Sequence, residues 1–322
     1  MTASARTTLW LLLTFVPLVA GAAKRAHLVS YGGYGTAETV VVRGRVARGE
    51  APVDKPDRGK VKKVWATTKA FLGRDIEKAH LRIRDLDGSA REARVRADDD
   101  GFFEARLPGP FPLGPRRVEV ALVEKDWQAP PLTLQIHVVD GASGLVVVTD
   151  IDDTVIETGV TGSKADLIKR IAVSDAGDIK AFDGAPAALR AFAAAGVPII
   201  YVSASPIELA PRLMRFFELR ELPPGALFLR HYEDDGIGDP TGYKRRRIDA
   251  VLADFPGRKL VLFGDNGEKD RDIFATLARE TGRVAFSYIR RTLPDERAIE
   301  GQLVFGTWAE VERHARTTGL IR

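Results

Sequence analysis

The chain has 322 residues, 45% hydrophobic and 29% charged, and carries a formal net charge of +4. These values place it among globular proteins of one large or two ordinary domains; the mild positive charge suits an anionic substrate or surface and is too small to indicate nucleic acid. There is no cysteine, which excludes disulfides, thiolate catalysis, thiolate zinc sites and lipidation on cysteine.

Arg6, the apolar run "LWLLLTFVPLVA" (9–20) and the small residues "AGA" (20–22) read as a secretory signal peptide over residues 1–22. The run is short for a spanning helix and contains Pro17. The expectation is an exported protein, periplasmic or secreted, with an uncleaved N-terminal anchor as the alternative. Residues 24–140 then alternate between apolar and polar over 38–47, 80–86, 90–97, 101–107, 116–124 and 132–139. Turn signals such as "DLDG", "DDDG" and "GPFPLGP" separate several of these runs, which predicts a small antiparallel β-sandwich. "YGGYG" (31–35) lacks the pattern of a phosphate-binding loop and a following helix, and reads as a loop. The polar stretch 48–63 reads as a long surface loop, and "GASG" (141–144) as the linker.

Beyond it the period changes. Strands are predicted at 144–150, 197–205, 226–230, 258–265, 283–289 and 302–307, and helices at 185–196, 206–219, 244–255, 268–282 and 308–317. Alternating strands and helices over 145–322 predict a doubly wound, mostly parallel α/β sheet, whose ligands bind beyond the carboxyl ends of its strands.

Chemistry-bearing residues follow those strands. Asp150, Asp152, Asp153 and Thr154 come after the first, Ser203 and Ser205 after the second, and Lys244 opens a helix. Gly264, Asp265 and Asn266 follow the "KLVLF" strand, and then comes Asp270. A set of carboxylates, a hydroxyl and an ammonium converging on one edge suits Mg²⁺-assisted chemistry on a phosphate, since a hard dication takes oxygen ligands and offsets the repulsion among the acids. Bland readings exist beside it: strand-end caps for the serines, and a solvated basic face for Arg245, Arg246 and Arg247. The histidines show no metal-ligand spacing. Glu157 and Thr158 are placed at the mouth of the site or outside it with equal weight.

The D-x-D-x-T pattern after an apolar strand, with Ser, Lys and G-D-N following in order, resembles the haloacid dehalogenase phosphatase superfamily. "DIDDTVIETGV", "IIYVSASPIEL" and "YKRRRIDAVLADFPGRKLVLFGDNGEKDRDIF" are similar, over about residues 145–295, to the catalytic domain of the actin-patch type of phosphatidate phosphatase. The resemblance implies Asp150 as nucleophile, Asp152 as general acid and base, Ser203 and Lys244 on the phosphoryl group, and Thr154 as loop support. It also implies Mg²⁺ held by Asp150, Asp265 and the main-chain carbonyl of Asp152. Asn266 and Asp270 would be ligand orienters or helix caps. Ile151, between the two acids, is expected to point away into apolar packing.

The expected substrate is phosphatidate, with another phosphomonoester, soluble or protein-bound, as the alternative. A non-catalytic lipid- or partner-binding module is the reading from a different class. Residues 156–185 are expected to form a short flap. Leu167, Ile168 and Ile171 with Lys164, Lys169 and Arg170 fit either contact with an anionic membrane or packing on the domain.

Overall fold

The computed structural model describes residues 23–50, 75–88, 90–157, 176–231, 239–294 and 297–321. The expected leader, most of the 48–63 loop and the basic and apolar residues of the flap lie outside the described residues. Two sheets organise the rest.

The first sheet has eight strands: β1 (Lys24–Thr36), β2 (Thr39–Arg48), β3 (His80–Asp85), β4 (Glu92–Arg96), β5 (Phe102–Pro108), β6 (Gly114–Leu122), β7 (Trp127–Gln128) and β8 (Leu132–Val139). Their order is β4-β3-β6-β8-β1-β2-β5, with β7 also on β1. Alternation along β3, β5 and β8 buries one face, where Val40, Val42, Leu81, Ile83, Leu107, Val118, Val120 and Val138 form a core.

The expected antiparallel sandwich is corrected to a single mixed sheet: β1 pairs in parallel with β7 and β8 and antiparallel with β2. The edge strands β4 and β5 come close to one another, so the sheet curls around its own apolar face. A period of two reports which residues face the core; it does not distinguish two facing sheets from one curled sheet.

The expected loop at "YGGYG" is likewise corrected, because it lies in β1. Gly32 sits at φ +73°, and the register to β2 shifts between Ser30 and Gly33, a bulge that glycine accommodates. A Cβ on Gly32 would stand 1.9 Å from the carbonyl oxygen of Gly225 in the second sheet, so this glycine sets how closely the two sheets approach.

The second sheet is parallel throughout: β9 (Leu145–Thr149), β10 (Ile199–Pro206), β11 (Gly225–Arg230), β12 (Lys259–Asp265), β13 (Val284–Arg290) and β14 (Gln302–Phe305), in the order β11-β10-β9-β12-β13-β14. The central strands β9 and β12 are buried almost end to end, as expected where helices cover both faces. Val147, Val261 and Phe263 turn to one face, against α1 (Ala185–Ala194), α2 (Ala210–Leu219) and α5 (Trp308–Thr317). Val146, Val148, Leu260 and Leu262 turn to the other, against α3 (Pro240–Asp254) and α4 (Asp270–Thr281).

Helix α3 starts before the expected residue 244. Asp239 caps it by accepting from the Gly242 amide at 2.8 Å, and Pro240 takes the first turn. The chain runs β9, β10, β11 toward one edge, then returns to β12 and runs toward the other. The switch point therefore falls between β9 and β12, where Asp150 and Asp265 stand at adjacent strand ends.

The first sheet is fastened to the second by polar bonds. Arg106 grips Asp254 at 2.6 and 3.1 Å, Tyr34 donates to the same carboxylate, and Arg43 donates to the Leu227 carbonyl at 2.6 Å.

Candidate active site

Asp150 ends β9 with its amide donating to the Phe263 carbonyl of β12 at 2.9 Å. Its buried carboxylate takes the Thr154 hydroxyl at 3.2 Å on Oδ2 and the Lys244 ammonium at 2.9 Å on Oδ1. Thr154 thus ties the turn back to Asp150, and Ile151 between the two acids is fully buried in the apolar core. Asp153 turns the chain at φ 56°, a left-handed conformation that Asp tolerates better than most residues.

Asp152 is fixed from β10. Ser203 and Ser205 both donate to its Oδ2, at 2.6 and 2.7 Å, and the Ser205 amide donates to the Ser203 hydroxyl at 2.9 Å. Residues two apart on a strand share a face, which brings both serines to one carboxylate. In this structure the Ser203 hydroxyl is committed to Asp152, and Ser205, set aside by the sequence as the lesser of the two, is its equal.

Lys244, in the first turns of α3, is buried and touches three acids: Asp150, Glu268 at 2.8 Å and Asp270 at 2.8 and 3.0 Å. Asp150, Glu268 and Asp270 have carboxylate oxygens within 4.8 Å of one another; the Nζ atom of Lys244 is bonded to all three, so that cluster is already served by a cation. Desolvation opposes the charge on Lys244, but Asp150 and Asp270 outweigh it and hold its pKa above the ordinary value. Burial pushes Asp150 and Asp270 up, with the ammonium pulling both the other way. The sequence alone does not single out Glu268. The available signal was its place in "GDNGEKD", three residues beyond Asp265.

Asp265 ends β12. Its Oδ1 accepts from the amides of Gly267 at 2.6 Å and Glu268 at 3.1 Å and from the Thr292 hydroxyl at 3.4 Å. Its Oδ2 is buried with no partner among the described residues. Burial, then the charge of Asp270, pushes its carboxyl up to about 7. Asn266 is neither a helix cap nor within the acid cluster. Its side-chain oxygen takes the Thr292 amide at 2.7 Å, the Thr292 hydroxyl at 2.9 Å and the Leu293 amide at 2.9 Å, and its amide group donates to the Leu293 carbonyl at 3.0 Å. It ties the loop after β13 to the end of β12. Glu157 is exposed, with its amide on the Lys180 carbonyl; Thr158 lies outside the described residues.

The edge therefore gathers five carboxylates: Asp150, Glu268 and Asp270 share the Lys244 ammonium, while Asp152 and Asp265 rest on hydroxyls and amides. Burying unpaired carboxylates is costly. The partnerless Asp265 Oδ2 and an all-oxygen donor set fit a hard dication.

A parallel, doubly wound sheet with an acid-rich edge at its switch point defines the class: an α/β protein with charged groups clustered at its strand ends. Residues 145–291 match the family described as "Phosphatidate phosphatase APP1, catalytic domain". That stretch is the one whose motifs resemble the actin-patch phosphatidate phosphatase catalytic domain, and the family match agrees with that resemblance.

The chain is similar to Phosphatidate phosphatase APP1 of Saccharomyces cerevisiae, 32% identical over 153 residues, which is 46% of this chain and 26% of the relative. It is also similar to an uncharacterized protein of Schizosaccharomyces pombe, 29% identical over 140 residues, 42% of this chain and 23% of that one. The chain thus spans about a quarter of the length of the curated relatives it matches.

Among solved structures, a HAD family hydrolase of Deinococcus radiodurans with bound phosphate and sodium overlaps at 18% identity and TM-score 0.38, covering 55% of this chain and 96% of that one. The topology described above, not an overlap of that size, defines the fold.

The expected export is corrected by the same comparison: the yeast relative is a cytoplasmic actin-patch protein. No helix among the described residues is long and apolar enough to cross a membrane.

Proposed function

We propose that this protein is an Mg²⁺-dependent phosphomonoesterase working through an aspartyl-phosphate, with phosphatidate as the favoured substrate, giving diacylglycerol and phosphate. The reading divides the chain into a domain at 24–140 and a phosphatase domain at 145–322. The observation that carries it is the surplus of buried carboxylate charge at the switch point, with Asp265 Oδ2 lacking any partner among the described residues.

In this reading the Asp150 carboxylate attacks phosphorus while the bond to the leaving oxygen breaks and Asp152 gives that oxygen a proton. Water then attacks the same phosphorus and passes a proton to Asp152. The bond to Asp150 breaks, phosphate leaves, and both acids return to their starting states. The ammonium of Lys244 on Asp150 Oδ1 favours the ionised, attacking form, and Thr154 on Oδ2 fixes its direction. Ser203 and Ser205 hold Asp152 by one oxygen.

Mg²⁺ would be held by Asp150, Asp265 and the main-chain carbonyl of Asp152, and would supply positive charge to the phosphoryl oxygens. Asn266 and Asp270 serve as supports, through the loop at 292–293 and through Lys244. The favoured substrate follows the name of the matching family, and contact with an anionic membrane surface goes with a lipid substrate.

The experiment is phosphate release by the full chain with Mg²⁺ from phosphatidate micelles and from soluble phosphomonoesters, beside Asp150→Asn. The expected result is release from phosphatidate, lost in the variant. Faster release from soluble esters than from phosphatidate would overturn the substrate, and release undiminished in Asp150→Asn would overturn the mechanism.

A further inference from the structure

Arg290 ends β13 in direct register with Asp265 on β12, so its side chain leaves the sheet at the same edge as the acid cluster. It lies within electrostatic reach of Asp153, Glu157 and Asp265, yet forms an ion pair with none of them. Three features hold it. The ring of Phe182 lies under the guanidinium at 3.4 Å from the centroid, Nη1 donates to the Gly306 carbonyl at 3.0 Å, and the Arg290 carbonyl accepts from the Asn266 amide at 3.0 Å. Phe182 is itself anchored beside the acidic loop, its amide donating to the Val155 carbonyl at 2.9 Å.

What is left over is specific. In a guanidinium, Nε and Nη2 form the side-on edge that receives two oxygens of a carboxylate or phosphate at once. On Arg290 that whole edge has no acceptor among the described residues, and Nε is buried without one. A buried donor without an acceptor is costly. Stacking on Phe182 fixes the plane of the group without consuming a hydrogen-bond donor, so the free edge is oriented before any ligand arrives. Lys244, at the same strand-end edge, is surrounded by three carboxylates, so a phosphoryl group needs a donor elsewhere.

We propose that Arg290, clamped between Phe182 and Gly306, is a substrate-binding residue whose Nε–Nη2 edge takes two non-bridging oxygens of the phosphoryl group at the acid-rich edge. The inference rests on the phosphomonoesterase reading and adds to it the residue that recognises the oxyanion. It was not legible in the sequence, where Arg290 lies just beyond the strand predicted at 283–289 and belongs to no motif.

The test uses inorganic phosphate, measured on the full chain with Mg²⁺ present, both as an inhibitor of p-nitrophenyl phosphate turnover and as a ligand by calorimetry. Arg290→Gln is expected to weaken phosphate about 10-fold or more, because a bidentate charge-assisted contact is lost. Arg290→Lys, which keeps the charge and loses the fork, should fall between. The stabilisation of each variant by Mg²⁺ alone should equal that of the parent chain, which a merely structural role for Arg290 would not preserve while phosphate binding falls.

Should Arg290→Gln fold poorly, Arg290→Lys and Phe182→Leu carry the test, each expected to weaken phosphate several-fold. Phosphate affinity within 2-fold of the parent in the folded variants overturns the inference, as does a parent chain that binds no phosphate. Phosphate binding that depends on Arg290 in a chain without turnover would instead sustain the inference and overturn the catalytic reading.

Discussion

Around the first sheet two acids each meet a guanidinium: half-buried Asp75 takes Arg45, and buried Asp85 takes Arg116. In the second sheet Asp150, Glu268 and Asp270 share the one ammonium of Lys244, and Asp152 and Asp265 rest on hydroxyls and amides. Pairwise neutralisation balances charge within the fold. An uneven distribution of charge marks the place where an ion or substrate completes the structure, and here it falls at the switch point of the parallel sheet.

The contrast breaks most visibly by removing one acid from each sheet. Asp150→Asn should lower phosphomonoester turnover by about 10³-fold or more, since it removes the attacking oxygen. Asp85→Asn should leave turnover per folded molecule unchanged while costing roughly 3–5 kcal/mol in denaturant unfolding, because Arg116 is left buried without its counter-charge. Equal loss of turnover in both variants would erase the distinction between the sheets.

Lys244→Met is expected to destabilise the metal-free chain by about 3–5 kcal/mol, since it leaves three clustered carboxylates uncompensated; unfolding in urea with EDTA reads this, and an unchanged midpoint would contradict it.

Acidity separates the two regions more finely. Asp265 has its carboxyl raised to about 7 by burial and by Asp270. Between its unfolded value near 3.8 and that value, the folded chain holds the extra proton. Its contribution therefore lowers stability as pH rises through the window. In EDTA the thermal midpoint should fall between pH 5 and pH 8, and Asp265→Asn should flatten the fall. His27 in the first sheet has the opposite sign. Burial lowers its pKa, and its Nε2 has no partner among the described residues. The unfolded chain gains a proton there first, so stability is lost as pH falls below about 6.5. His27→Gln should remove this smaller slope, by about 1 kcal/mol or less at pH 5, read from urea midpoints at pH 5 and 7. A variant with the parent's slope would contradict the assignment.

Much of this contrast is visible in the residues alone. "VVVTDIDD" places acids at a strand end, and the alternation of strands and helices after residue 144 makes all such ends share an edge. The fate of residues 24–36 was less legible. Glycines that read as a loop belong to a bulged strand, because what they accommodate is the backbone of Gly225 in the other sheet. Glu268, the equal standing of Ser205 with Ser203, and Arg290 escaped for a related reason. Each owes its place to a contact made across the fold, with Lys244, Asp152 and Phe182, and a linear pattern carries no record of such contacts.

The claim that a dication completes the acid-rich edge is tested most directly by the thermal midpoint of the full chain titrated with Mg²⁺, beside Asp265→Asn. The account predicts a midpoint that rises with Mg²⁺ in the parent, with the rise lost in the variant. A parent midpoint indifferent to Mg²⁺, or an equal rise in both proteins, would contradict it.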